Sequence, residues 1–173
     1  MYWLVEKHRV ALAEGDSKFE FTNVNCTSNR KEIADFEYCY LKSINRSYKY
    51  ISGKINIYEI PLYKVTINLI MWKRLNGYKP FLYNITVDFC KFLDKPKSSP
   101  VGKFVYDSYM NYSNVNHSCP YSHDVILEKL PISFLNHRMT QILPFPEGDY
   151  LFEFRWLRGK SIVGWAKVFF TIS

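Results

Sequence analysis

Glycine is scarce, at seven residues in 173, and no apolar run approaches the roughly 20 residues that a membrane-crossing helix requires. The chain also lacks a strained serine elbow, a phosphate-binding glycine loop and a zinc-protease helix. Each of those carries a reaction through a fixed spacing, so without them no enzyme class has a positive signal and an enzyme is not expected. There is no CxxC pair, which speaks against a zinc site. His117, Cys119 and His123 could be drawn as metal ligands, but three residues around Pro120 without a fourth partner do not make a tetrahedral site, and no metal or cofactor is expected. Nor is there a basic helix or a known nucleic-acid motif, although the formal charge is +7. The charges are spread thinly and favour solubility, so no nucleic acid is expected as a partner. Lys91, Lys95, Lys97 and Lys103 form the one local cluster, for which an anionic headgroup or membrane surface is the partner to consider. Internal repeats and low-complexity tracts are absent. Met1 to Ala13 is interrupted by Glu6, Lys7, His8 and Arg9 and does not read as a secretory leader.

What is present is an apolar fraction of 47% with 18% aromatics, including fourteen Tyr and thirteen Phe. That composition favours a packed, β-rich domain over disorder. A chain of this length makes one domain that buries about two thirds of its unfolded surface. We read residues 1–17 as a loosely held leader and 18–173 as the single domain. Cys26, Cys39, Cys90 and Cys119 are an even set suited to a disulfide framework. Asn-x-Ser/Thr sequons occur at Asn25, Asn45, Asn84, Asn111 and Asn116, several times what this composition gives by chance. Asn25 is crowded by Cys26, which leaves Asn45, Asn84, Asn111 and Asn116 as glycosylation candidates. Cysteines and sequons together outweigh the missing leader, so a secreted protein is expected.

Period-two alternation marks the strands. It runs through Phe19 to Val24, Phe36 to Leu41 and Tyr48 to Tyr58, where Gly53 suggests a bulge. It continues through Val65 to Met71 and, after the punctuation Asn76 to Pro80, through Phe81 to Phe89. On that last strand Leu82, Asn84, Thr86, Asp88 and Cys90 share the outward face. Val101, Phe104, Val105, Tyr109 and Tyr112 recur at helical spacing behind Pro100, predicting one short helix. Asp124 to Leu130 reads as a further strand. Pro131, Pro144 and Pro146 bracket an irregular apolar crossover holding Phe134, Leu135, Met139, Ile142 and Leu143. A closing hairpin turns at Arg158-Gly159-Lys160. Strands about ten residues apart with polar breaks predict an all-β sandwich or barrel. Four cysteines allow three pairings. Cys26 and Cys39 end neighbouring strands, and Cys119 follows the helix that returns the chain towards Cys90, so Cys26–Cys39 and Cys90–Cys119 are expected.

The inward residues are large and numerous, and they admit two readings. One is a solid core. The other is an apolar cavity between splayed sheets, gated by the helix after Pro100 and the proline-bracketed crossover. Its walls would be Ile55 and Ile57 of one strand, Val65, Ile67 and Leu69 of the next, then Tyr83, Ile85, Val87 and Phe89. Phe152, Phe154 and Trp156 would complete them, with Phe104 and Tyr109 at the mouth.

The run Gly77-Tyr78-Lys79-Pro80-Phe81-Leu82-Tyr83-Asn84 is followed by Asp88-Phe89-Cys90-Lys91-Phe92 and Asn116-His117-Ser118-Cys119-Pro120-Tyr121, and then by Pro144-Phe145-Pro146-Glu147-Gly148-Asp149-Tyr150. In that order these motifs resemble a large insect family of small secreted proteins of unknown function. That family is similar to the MD-2-related lipid-recognition (ML) domains and to insect chemosensory proteins of the ganglioside-activator type. The resemblance covers Phe19 to the C-terminus and departs in the first 16 residues, where family members have an apolar leader. It implies an immunoglobulin-like, ML-like β-sandwich with a lipid-accepting space between its sheets, and it carries over no catalytic residue. The expectation is therefore a monomeric, secreted, disulfide-bonded glycoprotein that binds a lipid or hydrocarbon, as a carrier or in chemosensation. The competing expectation is a protein-binding ectodomain or co-receptor partner with a filled core.

Overall fold

Strand formation follows the alternation closely. The structure, a computed structural model, describes residues 17–142 and 145–173. All but Ser17 of the expected leader therefore lies outside the described residues, as do Leu143 and Pro144 of the crossover. The strands are β1 (Phe19–Ser28), β2 (Ala34–Asn45), β3 (Tyr48–Ile57), β4 (Thr66–Leu75), β5 (Gly77–Asp88), β6 (Val125–Pro131), β7 (Gly148–Arg158) and β8 (Ser161–Ile172). They form a five-stranded sheet in the order β1-β8-β7-β4-β5 and a three-stranded sheet in the order β2-β3-β6. Every pairing is antiparallel. The fold is an all-β, immunoglobulin-like sandwich. Cys26–Cys39 joins β1 of one sheet to β2 of the other, and Cys90–Cys119 closes the segment between β5 and β6.

That segment contains two helices, α1 (Phe89–Asp94) and α2 (Pro100–Asp107). Phe89 and Cys90 were expected at the end of β5 but begin α1, because the Asp88 side chain accepts from the Lys91 N–H and starts a helical turn there. The expected helix after Pro100 is α2. Ser99 caps it by accepting from Gly102 N–H, and Pro100 takes the first turn, where its missing donor costs nothing. The helical periodicity does not run unbroken to Tyr112: α2 stops at Asp107 and a 3-10 turn spans Met110–Tyr112. The crossover is also more regular than its prolines suggest. It holds α3 (Ile132–His137) and a π-helical turn (Arg138–Ile142), and Asn136 ties α3 to β1 by accepting from Phe19 N–H at 2.7 Å.

Two local departures set which side chains face inward. Gly77, at φ 77°, reverses the chain so tightly that Leu75 pairs with Gly77, and β5 begins four residues before the expected Phe81. In β1 the register shifts between Phe21 and Asn23. Such an extra residue changes the parity of the strand, so Phe19 and Phe21 face the core at one end while Val24 and Cys26 do so further along. One end of the sandwich is solid. Phe21, Met71, Tyr150 and Phe170 are almost fully buried there, with Leu135 and Met139 packed on them from the crossover. The Tyr150 and Phe170 rings stack at 5.3 Å.

Gly164 of β8 is held by a close approach to β1. A methyl group on it would sit 2.8 Å from the Thr27 carbonyl oxygen, whereas at Gly53 the nearest atom would be 3.7 Å away. Gly164→Ala is expected to destabilise by about 1 to 3 kcal/mol, while Gly53→Ala should be neutral or slightly stabilising. Urea unfolding of the two variants checks the contrast.

Candidate functional site, a cavity between the sheets

The sheet register arranges the inward side chains in rows. Val87, Ile67, Trp156 and Gly164 lie side by side across the large sheet, and so do Ile85, Leu69, Phe154 and Ala166 in the next row. A third row runs Met71, Phe152, Val168 and Val24. Beyond it come Tyr150, Phe170 and Phe21, which belong to the solid end. On β8 the second row has only Ala166, and Ser52 and Gly53 of β3 are among the residues lining the same space, while Gly164 of the first row lines a smaller recess beside it. With so little side-chain volume at those positions, the sheets do not fill the space between them. An apolar cavity of about 310 Å³ results.

Its floor is Ile67, Leu69, Ile85, Val87, Phe154 and Trp156 of the large sheet, and its roof includes Ile51, Ile55 and Ile57 of β3 with Val125 and Leu127 of β6. Val65 and Phe89 line one end. Gly102, Val105, Tyr106 and Tyr109 form a side wall, since three- and four-residue steps put them on one face of the α2 segment. The Cys26–Cys39 disulfide lines the opposite side. A smaller recess of about 130 Å³ shares Phe36, Ile55, Ile67, Phe154, Trp156 and Ala166 with it.

Three of the residues expected on the walls lie elsewhere. Tyr83 and Phe152 pack against the aromatic cluster of the solid end, because Tyr83 lies beyond Ile85 on β5, and Phe152 sits in the row where that cluster starts and stacks on Phe170 at 5.5 Å. Phe104 is on the opposite face of α2 from the cavity. The Arg138 guanidinium lies 4.6 Å from its ring centre and donates to its carbonyl and to Ser108 Oγ. Several lining residues had no sequence signal, among them Leu62, Val115 and Tyr121. These come from loops without periodicity, brought together when Leu62 and Tyr121 exchange backbone hydrogen bonds of 2.8 and 3.0 Å.

Among the described residues the lining contains no Asp, Glu, Lys, Arg or His. Its polar groups are few, and most are engaged. Tyr106 donates to Val115 O, and Tyr121 donates to Val115 O and His117 O. Ser52 accepts from Lys129 N–H and Ser113 from Val115 N–H. Burial, with Tyr106 close by, pushes the Tyr121 phenol up to about 12, and it raises Tyr106 and Tyr109 as well. The lining is therefore uncharged at any physiological pH. Such a surface can hold an apolar chain and exclude ions, but it offers no nucleophile and base in contact.

Among the other candidates, Cys119 is bonded to Cys90, and His117 and His123 face each other with Nε2 atoms 2.7 Å apart. Among the described residues no group of three or more His, Cys, Asp or Glu side chains could hold a metal. Likewise, none of the described helices is long and apolar enough to cross a membrane. Asn45, Asn84, Asn111 and Asn116 are all exposed. Lys91, Lys95 and Lys97 are exposed on the segment that carries α1 and α2, and Lys103 pairs with Asp107 at 2.6 Å.

Residues 67–152 match the model of a family described as "Protein of unknown function (DUF1091)". The matched stretch runs from β4 through the helical segment and the crossover into β7, and so includes much of the cavity lining. No curated protein matches the chain.

Proposed function

We propose that this protein binds a lipid or other hydrophobic ligand in the cavity between its sheets and carries it in extracellular fluid. The observation that supports this is an uncharged, apolar space of about 310 Å³ at the centre of an otherwise packed sandwich. A space of that size is within the range of small-molecule sites. If a methylene takes about the volume of a water molecule in the liquid, roughly 30 Å³, the space holds on the order of ten carbons. At about 0.8 kcal/mol per buried methylene, such a chain gains on the order of 8 kcal/mol, which corresponds to micromolar binding without any polar contact.

The similarity to ML domains and to ganglioside-activator-type chemosensory proteins agrees with this reading, and with an origin in an insect. The two disulfides and the exposed sequons agree with a secreted glycoprotein. A ligand site contained in one chain needs no partner subunit, so the carrier would act as a monomer. The exposed lysines near the cavity's side wall suit contact with a receptor or an anionic membrane at delivery.

Titration of the purified protein with a fluorescent naphthylamine probe tests the reading. Saturable binding of one probe per chain, displaced by ten-carbon ligands with micromolar affinity, is expected. Absence of saturable binding would count against a ligand site and favour the protein-binding ectodomain.

Asn84 should carry a glycan when the chain is secreted from insect cells. It is exposed on β5, between Tyr83 and Ile85, which turn to the other face. Glycopeptide mapping that finds Asn84 unmodified in secreted protein would mean that this face of β5 is not the one open to solvent.

A further inference from the structure

Tyr109 is a tyrosine in the lining of an otherwise apolar cavity. Tyr109 lines the cavity from the end of the α2 segment, and its ring meets Phe154 of β7 edge-on at 6.5 Å, so it reaches across to the large sheet. Tyr106 and Tyr121 use their hydroxyls on backbone carbonyls, but among the described residues nothing hydrogen-bonds the hydroxyl of Tyr109. Every fully enclosed side-chain nitrogen or oxygen among those residues does have a partner. Tyr109 is half-buried, so a hydroxyl without a protein partner faces accessible space, and the space that Tyr109 lines is the cavity. Burial, reinforced by Tyr106 and Tyr121, holds this phenol protonated far beyond the usual range, so it is a standing hydrogen-bond donor.

From this we infer that the ligand carries an uncharged acceptor oxygen within its apolar chain, as in a long-chain ketone, ester or alcohol, and that Tyr109 donates a hydrogen bond to it. The inference rests on the cavity being a ligand site and narrows the class of ligand. A carboxylate is disfavoured there because among the described residues no cationic side chain lines the cavity to offset its loss of hydration. A plain hydrocarbon fits the walls but leaves the donor unused. The neutral oxygen satisfies Tyr109 and fixes where along the cavity the chain sits.

Competition against the fluorescent probe with 2-decanone and with decane, in wild type and in Tyr109→Phe, tests the inference. The substitution removes one oxygen that has no partner in the protein, so the urea midpoint should not fall. In the variant, 2-decanone should bind about tenfold more weakly while decane changes by less than about twofold, the difference that one buried hydrogen bond makes. Infrared spectra give a second reading: the carbonyl stretch of bound 2-decanone should lie below its frequency in hexane with wild type and return towards it in the variant. Equal effects on both ligands, or a carbonyl stretch unmoved by the substitution, overturn the role of Tyr109 and leave the cavity reading intact. Failure of both ligands to displace the probe from wild type overturns the two together.

Discussion

Val87→Trp is expected to lower the affinity for apolar ligands by on the order of a hundredfold while changing the unfolding free energy by less than about 1 kcal/mol. Val87 pairs with Ile67 at the edge of the large sheet, and both side chains reach into the cavity. An indole there takes the room of three or four methylenes, and at about 0.8 kcal/mol each their exclusion accounts for the loss. The stability effect separates a hollow from a core. Inserting the same group where side chains already interlock costs about 1 to 3 kcal/mol in strained rotamers and shifted backbone. Met71 provides the contrast, since it is wholly buried in the solid end, two residues from Leu69 of the cavity floor. Met71→Trp should destabilise by that amount and leave ligand affinity nearly unchanged. Ile67→Phe adds less bulk than Val87→Trp and should weaken binding by about tenfold. Urea unfolding and probe titration on the same preparations decide the matter, and comparable destabilisation by Val87→Trp and Met71→Trp would mean that the space is not available to ligands.

Loss of either disulfide should remove a large part of the stability. Cys26 and Cys39 are 13 residues apart in sequence, Cys90 and Cys119 are 29 apart. In the chain-entropy model, closing loops of these sizes stabilises by about 3 and about 3.5 kcal/mol. Paired Cys→Ser substitutions should therefore cost about those amounts, against a total that for most domains is about 5 to 15 kcal/mol. Their functional effects should differ. Cys26–Cys39 ties the two sheets together at β1 and β2, so its removal should lower the denaturation midpoint and also loosen the cavity. Cys90–Cys119 holds the ends of the segment that contributes Val105, Tyr106 and Tyr109 to the side wall, and its removal should accelerate ligand release most. Denaturation midpoints unchanged in both double variants would mean that the bridges constrain little, and equal release rates would separate the segment from the site.

The strands were legible in the sequence because both faces of each strand differ in polarity, and this asymmetry is what period two records. Cavity walls such as Ile67, Leu69, Ile85, Val87, Phe154 and Trp156 followed from the same alternation. Alternation cannot say how far apart two sheets stand, so it placed Tyr83 and Phe152 on the cavity although they pack in the solid end. The feature that separates the two regions was present but easily passed over: Ala166 is the small member of a row that is otherwise large, and Ser52 and Gly53 line the same space. Phe104 went to the wrong face because helical spacing alone does not tell which side of a short helix meets the protein. Arg138, far away in sequence, claims that side. Phe89 and Cys90 looked like a continuing strand because the capping effect of Asp88 competes with alternation over just one turn. The disulfide pairing came out as expected although its premise did not hold, since Cys39 lies in the middle of β2, β1 and β2 belong to different sheets, and Cys90 lies in α1. Leu62, Val115 and Tyr121 come together only through loop geometry, which no local pattern encodes.

Organic-solvent extraction of protein secreted from insect cells and purified without detergent, followed by mass spectrometry against an equally treated Val87→Trp sample, tests the central claim most directly. The account predicts a neutral, oxygen-bearing lipid recovered at close to one per chain from wild type and largely absent from Val87→Trp. Extracts free of lipid from wild type, or the same lipid in equal amount from both proteins, would contradict it.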